Sequence, residues 1–302
     1  MTSRFWRQLG AEHAAKLDAH GFESVKRVQA LRYFNWRWTL RRAIGGEQGR
    51  YLLTHSSFRS WMRALATPAT LSDAAWTPAM WPRRDRWIYI IATRLIWDIA
   101  MRLGSRHVLE LPEPALGAPF PVRWRGRLIS QDLANTALEM ASIEEALGGR
   151  VPSSIIEIGA GYGRTAYAML SRYPTVSYTI IDISPALDIS RWYLTTLFPE
   201  RDIEFLDAAH YDRITAPFDL AVSISSLQEM SHEQVRGYLG LLDRLARPGA
   251  VTYLKQWERW WNPIDEIEQT TANYVLPPRW RRLFSRQCPI QTTFTEIAWT
   301  AD

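Results

Sequence analysis

"IIEIGAGYGR", residues 155–164, decides how the second half of this chain is read. An acidic residue sits near the end of an apolar run, and Gly159, Gly161 and Gly163 follow at alternate positions. With "RTAYAMLSRY" (164–173) behind it, the stretch reads as a strand, a glycine-rich turn and a helix. The same alternation continues downstream. "VSYTIIDIS" (176–184) is a second strand and "PALDISRWYLTTLF" (185–198) a helix. "DIEFLDA" (202–208) is a short third strand and "FDLAVSISSLQEM" (218–230) contains a fourth. "SHEQVRGYLGLLDRLA" (231–246) is a helix opened by Ser231, and "PGAVTYLKQW" (248–257) is a fifth strand after a proline-glycine turn. Strands alternating with helices in this way imply a parallel sheet covered on both faces. "RWRRLFSRQ" (279–287) and "QTTFTEIAWT" (291–300) read as two more strands, the last an antiparallel edge.

Upstream, residues 1 to about 110 read as mostly helical, broken at "AIGGEQGR" (43–50) and "TPATLSDAAWTPAMWPRRDR" (67–86). The four prolines of "LPEPALGAPFPVRWRGR" (111–127) make a connector, with a short extended piece at its end. In "SQDLANTALEMASIEEALGG" (130–149), Ser130 is the expected helix cap and Gly148–Gly149 the stop. The expected division is a mostly helical region over 1–128 and an α/β domain over 129–302.

A chain of 302 residues that is 47% hydrophobic and 22% charged is built to bury a core. Its net charge of +5 permits contact with anions without requiring it. Cys288 is the only cysteine, which rules out an intrachain disulfide and a cysteine-rich zinc site and suits a reducing compartment. "WIYIIATRLIWDIA" (87–100) carries Arg94 and Asp98 and is too short to span a bilayer, so a buried helix is expected there. The first residues lack a signal-peptide core, and a soluble cytoplasmic protein with no membrane partner is expected. Most of the fifteen tryptophans, including the groups Trp36–Trp38 and Trp257–Trp260–Trp261, are expected to pack rather than bind.

What does the glycine turn hold? A phosphate loop needs a lysine that is absent near Gly163. The dinucleotide pattern is G-x-G-x-x-G, whereas the spacing here is G-x-G-x-G. Glu157, two residues before the first glycine, would repel a pyrophosphate and suit a cationic group. Asp182 closes the second strand, 19 residues after Gly163, where a carboxylate can accept from both ribose hydroxyls. Asp207 ends the third strand, within range of an adenine amino group. Acids at the ends of three consecutive strands point to S-adenosylmethionine, a cationic nucleoside without phosphate.

These residues resemble motif I of the class I methyltransferases, and the order of elements after them is similar to that family's Rossmann-like seven-stranded core. The resemblance implies a cofactor site of Glu157, Gly159, Ala160, Gly161, Tyr162, Gly163, Asp182, Ile183, Asp207, Ala208 and Ser223, with S-adenosylhomocysteine as product. A narrower likeness comes from "LISQDLANTALEMASI" (128–143), "SSLQEMS" (225–231) and "YLKQW" (253–257), which resemble the sugar O-methyltransferases of bacterial polysaccharide and natural-product clusters. It implies methylation of a sugar hydroxyl on a glycan, glycoside or natural product. The first 110 residues match nothing, and an acceptor lid or homo-oligomer contacts are the roles open to them.

A sugar hydroxyl is a poor nucleophile at neutral pH, so a general base is expected. His232 and Glu229, in the loop after the fourth strand, and Asp132, beside Gln131 at a helix start, are the candidates. Each has an ordinary alternative as a surface or capping residue. His210 is a candidate border for adenine, and Lys255 and Trp257 for an acceptor wall. A divalent metal could aid the reaction through Asp132, Glu229 and Asp265, but their spacing forms no recognised site. Competing readings are a methyltransferase for polyketide or phenolic acceptors, a nucleic-acid methyltransferase using "WPRRDR" and "RWRRLF", a non-catalytic binding module, and an NAD-dependent enzyme. A small-molecule substrate without a stable nucleic-acid partner is preferred, because acids are well distributed against the modest net charge.

Overall fold

The computed structural model describes residues 4–26, 38–66, 70–71 and 81–302. Trp36 and most of the expected break at 67–86 lie outside the described residues. The chain forms two compact units that interleave along the sequence, in place of a single boundary at 128/129. One comprises residues 1–15, 143–288 and 293–302; the other comprises 16–142 and 289–292.

The first unit is built on seven strands: β1 (Ser154–Ile158), β2 (Ser177–Asp182), β3 (Ile203–Asp207), β4 (Phe218–Ile224), β5 (Ala246–Trp257), β6 (Trp280–Gln287) and β7 (Phe294–Ala301). Their spatial order is β6-β7-β5-β4-β1-β2-β3. The first five run parallel, and β7 is antiparallel to both β5 and β6. The last strand is therefore not the expected edge. It enters between β5 and β6, where both of its sides find backbone partners and its side chains are nearly all buried. β6, with exposed Arg281 and Arg282, takes the edge, where charged side chains discourage further pairing.

The strand order reverses at β1 and β4, so the loops leaving these strands part and open a crevice at their carboxyl ends. Helices α3 (Arg164–Arg172), α4 (Ala186–Leu197) and α5 (His232–Leu245) follow β1, β2 and β4. α5 turns Val235, Tyr238, Leu239, Leu241, Leu242 and Leu245 toward a cluster containing Ile156, Ile158 and Trp299. Its start is set by Ser231, whose hydroxyl accepts from the Gln234 amide at 3.2 Å while the Gln234 side chain accepts from the Ser231 amide at 2.9 Å.

The second unit is mostly helical. Its long helix α1 (Arg83–Leu103) is the expected apolar stretch, and every residue from 91 to 100 is buried. The two charges within residues 91–100 each find a partner in the same unit. Arg94 donates to the Ala64 carbonyl, and Asp98 accepts from the Ser60 hydroxyl at 2.6 Å and from Arg63 at 2.8 Å. The break at "AIGGEQGR" separates helices Leu40–Gly45 and Glu47–His55. The expected extended piece is a hairpin, Val122–Trp124 against Arg127–Ile129, turning on Arg125 and Gly126 at positive φ. α2 (Gln131–Leu147) starts in this unit, with the Ser130 hydroxyl accepting from the Leu133 amide at 3.0 Å.

Burying a large apolar side chain stabilises by about 1.5–3 kcal/mol, so six of them outweigh the roughly 1 kcal/mol of a helix cap. Ser231→Ala is therefore expected to lower the stability of the first unit by about 1 kcal/mol without unfolding α5. Urea unfolding followed by circular dichroism measures this, and an unchanged midpoint would contradict the capping box.

Candidate active site

The glycine turn is fastened to the second strand by Asp182. One carboxylate oxygen accepts from the Gly161 amide at 3.0 Å and the other from the Ile183 amide at 2.8 Å. Gly159, Gly161 and Gly163 all have positive φ, the region that glycine enters without strain. At Gly159 a β-carbon would lie 2.1 Å from the Ser226 hydroxyl, so the turn after β1 presses against the loop after β4. Asp182 is buried, and that burial, partly offset by the Ile183 and Gly161 amides, pushes its carboxyl up to about 7.

The other acids do different work. Glu157 is buried in β1 and accepts from the Tyr178 hydroxyl at 2.7 Å. Asp207 is exposed, and one oxygen caps the turn Ala208–Arg213 through the Ala209 amide at 2.7 Å. Ser223 is fully buried in β4, where its hydroxyl accepts from Gln256 at 3.3 Å, and it does not reach the crevice. Ala160 and Tyr162 are buried within the turn, Tyr162 edge-on to Tyr193. His210 is exposed on the Ala208–Arg213 turn.

The loop after β4 is held by two glutamines that the sequence reading passed over. The Gln256 side-chain oxygen accepts from the Ser226 and Gln228 amides at 3.1 and 3.3 Å, and its nitrogen donates to the Ser223 carbonyl at 3.1 Å. Gln228 returns the contact, accepting from the Trp257 amide at 2.7 Å and donating to the Ser225 hydroxyl at 3.2 Å. Both glutamines are buried, and between them they hold Ser225 at a φ of 57°, unusual for a residue with a β-carbon. The available signal was Gln256 in "VTYLKQW", on a strand expected to be covered on both faces, where a buried polar side chain needs a dedicated partner.

A hairpin, Arg259–Asn262 against Ile267–Thr270, docks on this loop. Gln269 donates to the Met230 carbonyl at 2.7 Å, and His232 Nε2 lies 2.9 Å from the Glu268 carbonyl. His232 thus ties the hairpin to the start of α5 and is exposed. Glu229, in the same loop, is half-buried, and burial and then the Asp182 charge push its carboxyl up to about 8. Lys255 is buried, with its ammonium 5.5 Å from the Phe294 ring centre, and Trp257 packs edge-on to Trp260 and Phe294.

Asp132 and Gln131 belong to the other unit. Gln131 accepts from the Trp38 indole at 3.2 Å and donates to the Thr93 hydroxyl at 2.9 Å. Asp132 is buried near Glu113, whose carboxyl is raised by burial. Asp265, considered above as a metal ligand, instead accepts from the Arg4 and Phe5 amides at 3.0 and 3.1 Å and caps the helix Arg4–His20. Among the described residues no cluster of three or more His, Cys, Asp or Glu side chains could hold a metal ion.

The crevice has a volume of about 520 Å³. Its walls come from the ends of all the strands concerned: Gly159 after β1, Asp182 and Ile183 after β2, Ala208 after β3 and Ser226 after β4. Tyr211, Tyr238 and Glu233, which the sequence reading did not single out, complete it. Tyr211 packs on Tyr238 with ring centres 4.7 Å apart. No lysine or arginine is among its lining residues.

Residues 156–252 match the family model described as a methyltransferase domain. The core has the class I methyltransferase fold. S-adenosylmethionine is the methyl donor that the sequence resemblance implies for such a core, and the residues fit it. After two backbone bonds the Asp182 carboxylate retains acceptor capacity for ribose hydroxyls. The acidic crevice without a basic side chain suits a cationic nucleoside and disfavours a pyrophosphate. No curated protein matches the chain. Among solved structures, the mitomycin 7-O-methyltransferase MmcR is similar at 15% identity, with 57% of each chain covered and a TM-score of 0.41. TrmN from Thermus thermophilus is similar at 16% identity, with 55% of this chain and 49% of that one covered and a TM-score of 0.44. A 1,6-didemethyltoxoflavin-N1-methyltransferase from Burkholderia thailandensis, solved with S-adenosylhomocysteine, is similar at 19% identity, covering 53% and 75% with a TM-score of 0.42. The chain spans only about half of the length of the first two.

Two outcomes follow from this geometry. Gln256→Leu leaves the Ser226 and Gln228 amides unsatisfied, and is expected to cost about 1–3 kcal/mol of stability and to weaken S-adenosylhomocysteine binding, read by denaturant unfolding and calorimetry. The second concerns pH. Asp182 and Glu229 titrate near 7 and 8 in the folded chain, against about 4 when unfolded. In that window the folded state holds protons that the unfolded state has lost, so stability falls as pH rises from about 4 to about 8. Asp182→Asn with Glu229→Gln should flatten the fall, and a wild-type stability that rises across the same range would contradict it.

Proposed function

We propose that this protein transfers the methyl group of S-adenosylmethionine to a hydroxyl of a small molecule, and that the acceptor hydroxyl belongs to a sugar. The observation that carries the reading is the crevice at the β1–β4 switch, which joins the Asp182-clasped glycine turn to a loop bearing a half-buried carboxyl.

The methyl donor supplies the electrophile, and the chain must align the acceptor oxygen and take its proton. Glu229 is the candidate for the proton. It lies between Ser226 and Met230, both of which line the crevice. A carboxyl raised to about 8 is a stronger base than an ordinary glutamate once ionised, which is what a weakly acidic alcohol requires. In this reading His232 positions rather than reacts, because its ring nitrogen is engaged with the Glu268 carbonyl. Tyr211 and Tyr238 offer flat apolar surface suited to adenine. The sugar assignment rests on the likeness of "LISQDLANTALEMASI", "SSLQEMS" and "YLKQW" to sugar O-methyltransferases.

The test has two stages. Calorimetry should show S-adenosylhomocysteine binding that Asp182→Ala weakens by about tenfold or more, roughly 1.4 kcal/mol, with no binding of NADH. Methyl transfer is then measured on nucleotide sugars, glycosides and the matching aglycones. Glu229→Gln should lower kcat by about a hundredfold with cofactor affinity little changed. Transfer to aglycones alone would replace the sugar with a phenolic or polyketide acceptor. Binding of NADH in place of S-adenosylhomocysteine would overturn the assignment.

A further inference from the structure

The helical unit carries a surface that methyl transfer does not explain. Over residues 38–66 and 81–106 there are eleven arginines, no lysine and three carboxylates, Glu47, Asp85 and Asp98. Asp85 and Asp98 are buried, as is Arg94, and Asp98 pairs with Arg63 and Arg102, which leaves the other eight arginines against Glu47 and Asp85. The same stretches expose large apolar side chains. Leu40, Ile44, Leu53, Leu65 and Trp87 line one groove of about 190 Å³, yet Ile44 is 61% and Trp87 58% exposed. On helix Phe58–Ala66, Phe58 and Met62 stand two turns and one turn before Leu65 on the same face, and Phe58 is 81% exposed. Packing that exists to fill a core does not leave these groups in water.

The arginines frame this apolar face. Arg41 is three residues before Ile44, Arg59 three before Met62, and Arg83 and Arg84 four and three before Trp87. Residues at those spacings are neighbours on a helix surface, and all four arginines are exposed. Arg84 is itself exposed but meets the buried Asp85 carboxylate at 3.5 Å, so its charge is partly paired, and Arg41, Arg59 and Arg83 carry the rim.

The charge selects the occupant. A second copy of the chain, docked through a two-fold axis, would set two arginine rims against each other with few acids to separate them. An anionic bilayer satisfies both halves of the surface. Phe, Trp, Leu and Ile enter the acyl boundary while guanidinium groups meet lipid phosphates. We propose that this face of the helical unit docks on an anionic membrane surface. No helix among the described residues is long and apolar enough to cross a membrane, so the contact lies in the interfacial plane. The expectation of no membrane partner rests on the lack of a spanning segment, and an amphipathic face needs none.

The full chain is sedimented with phosphatidylcholine vesicles containing about one-third phosphatidylglycerol, and with pure phosphatidylcholine vesicles. The expected result is partitioning onto the anionic vesicles, at least about tenfold weaker on the neutral ones and falling with added salt. Phe58→Ser with Trp87→Ser, and separately Arg41→Glu with Arg59→Glu, should each reduce it about tenfold. All four positions are exposed, and unchanged circular dichroism and S-adenosylhomocysteine binding establish that the variants fold. Failure of the wild type to partition onto anionic vesicles overturns the proposal. Equal partitioning onto neutral vesicles does so too, as does a concentration-dependent dimer that the Phe58→Ser, Trp87→Ser variant dissolves, which would make a second copy the occupant.

Discussion

The carboxylate of Asp182 is the constraint on which the site depends. It takes the Gly161 and Ile183 amides at once, and so joins the turn after β1 to the end of β2. With the turn held there, Gly159 lies against Ser226, and the loop after β4 has nowhere to move inward. That loop borders the crevice with Ser225 in a left-handed conformation, held by the Gln228–Gln256 brace. One buried acid therefore couples three segments that lie far apart in sequence. A group doing this in a low-dielectric setting is costly to ionise until a ligand brings donors or positive charge to it.

The two glutamines tie the segments "SSLQEMS" and "YLKQW" to each other. Each segment supplies the partner that the other needs. Gln228 binds the backbone of Trp257, and Gln256 binds the backbone of Ser226 and Gln228. A brace of this kind holds the loop that carries Glu229 in a set position.

Much of the fold was legible because its signals are local. Apolar runs, a glycine turn and acids at strand ends mark the parallel strands, and the Ser231 cap marks α5 without any tertiary knowledge. What stayed hidden depends on partners distant in the chain. Asp265 reads as a spare ligand until the amides of Arg4 and Phe5 are found on it. Ser223 reads as a cofactor contact until Gln256 is seen to occupy it, and Gln131 as a ligand group until Trp38 and Thr93 claim its two ends. His232 has the chemistry of a base, but its ring is engaged with the backbone of a hairpin whose docking no local pattern announces. The exposed face of the helical unit was missed for another reason: periodicity shows that a helix has an apolar side, but not whether anything covers it.

The position of β7 bears on how the molecule is made. This strand, latest of the seven in sequence, lies inside the sheet, between β5 and β6. Until it arrives, β5 has a bare backbone edge and β6 has no neighbour in the sheet at all. A chain emerging from its N-terminus thus completes the parallel half and α5 while one side of the sheet is still an open template for foreign strands. Closing that side is a long-range step that waits for Phe294–Ala301. The interval before that step is the period of greatest exposure to aggregation, and its length is set by when β7 is delivered rather than by the stability of the finished core.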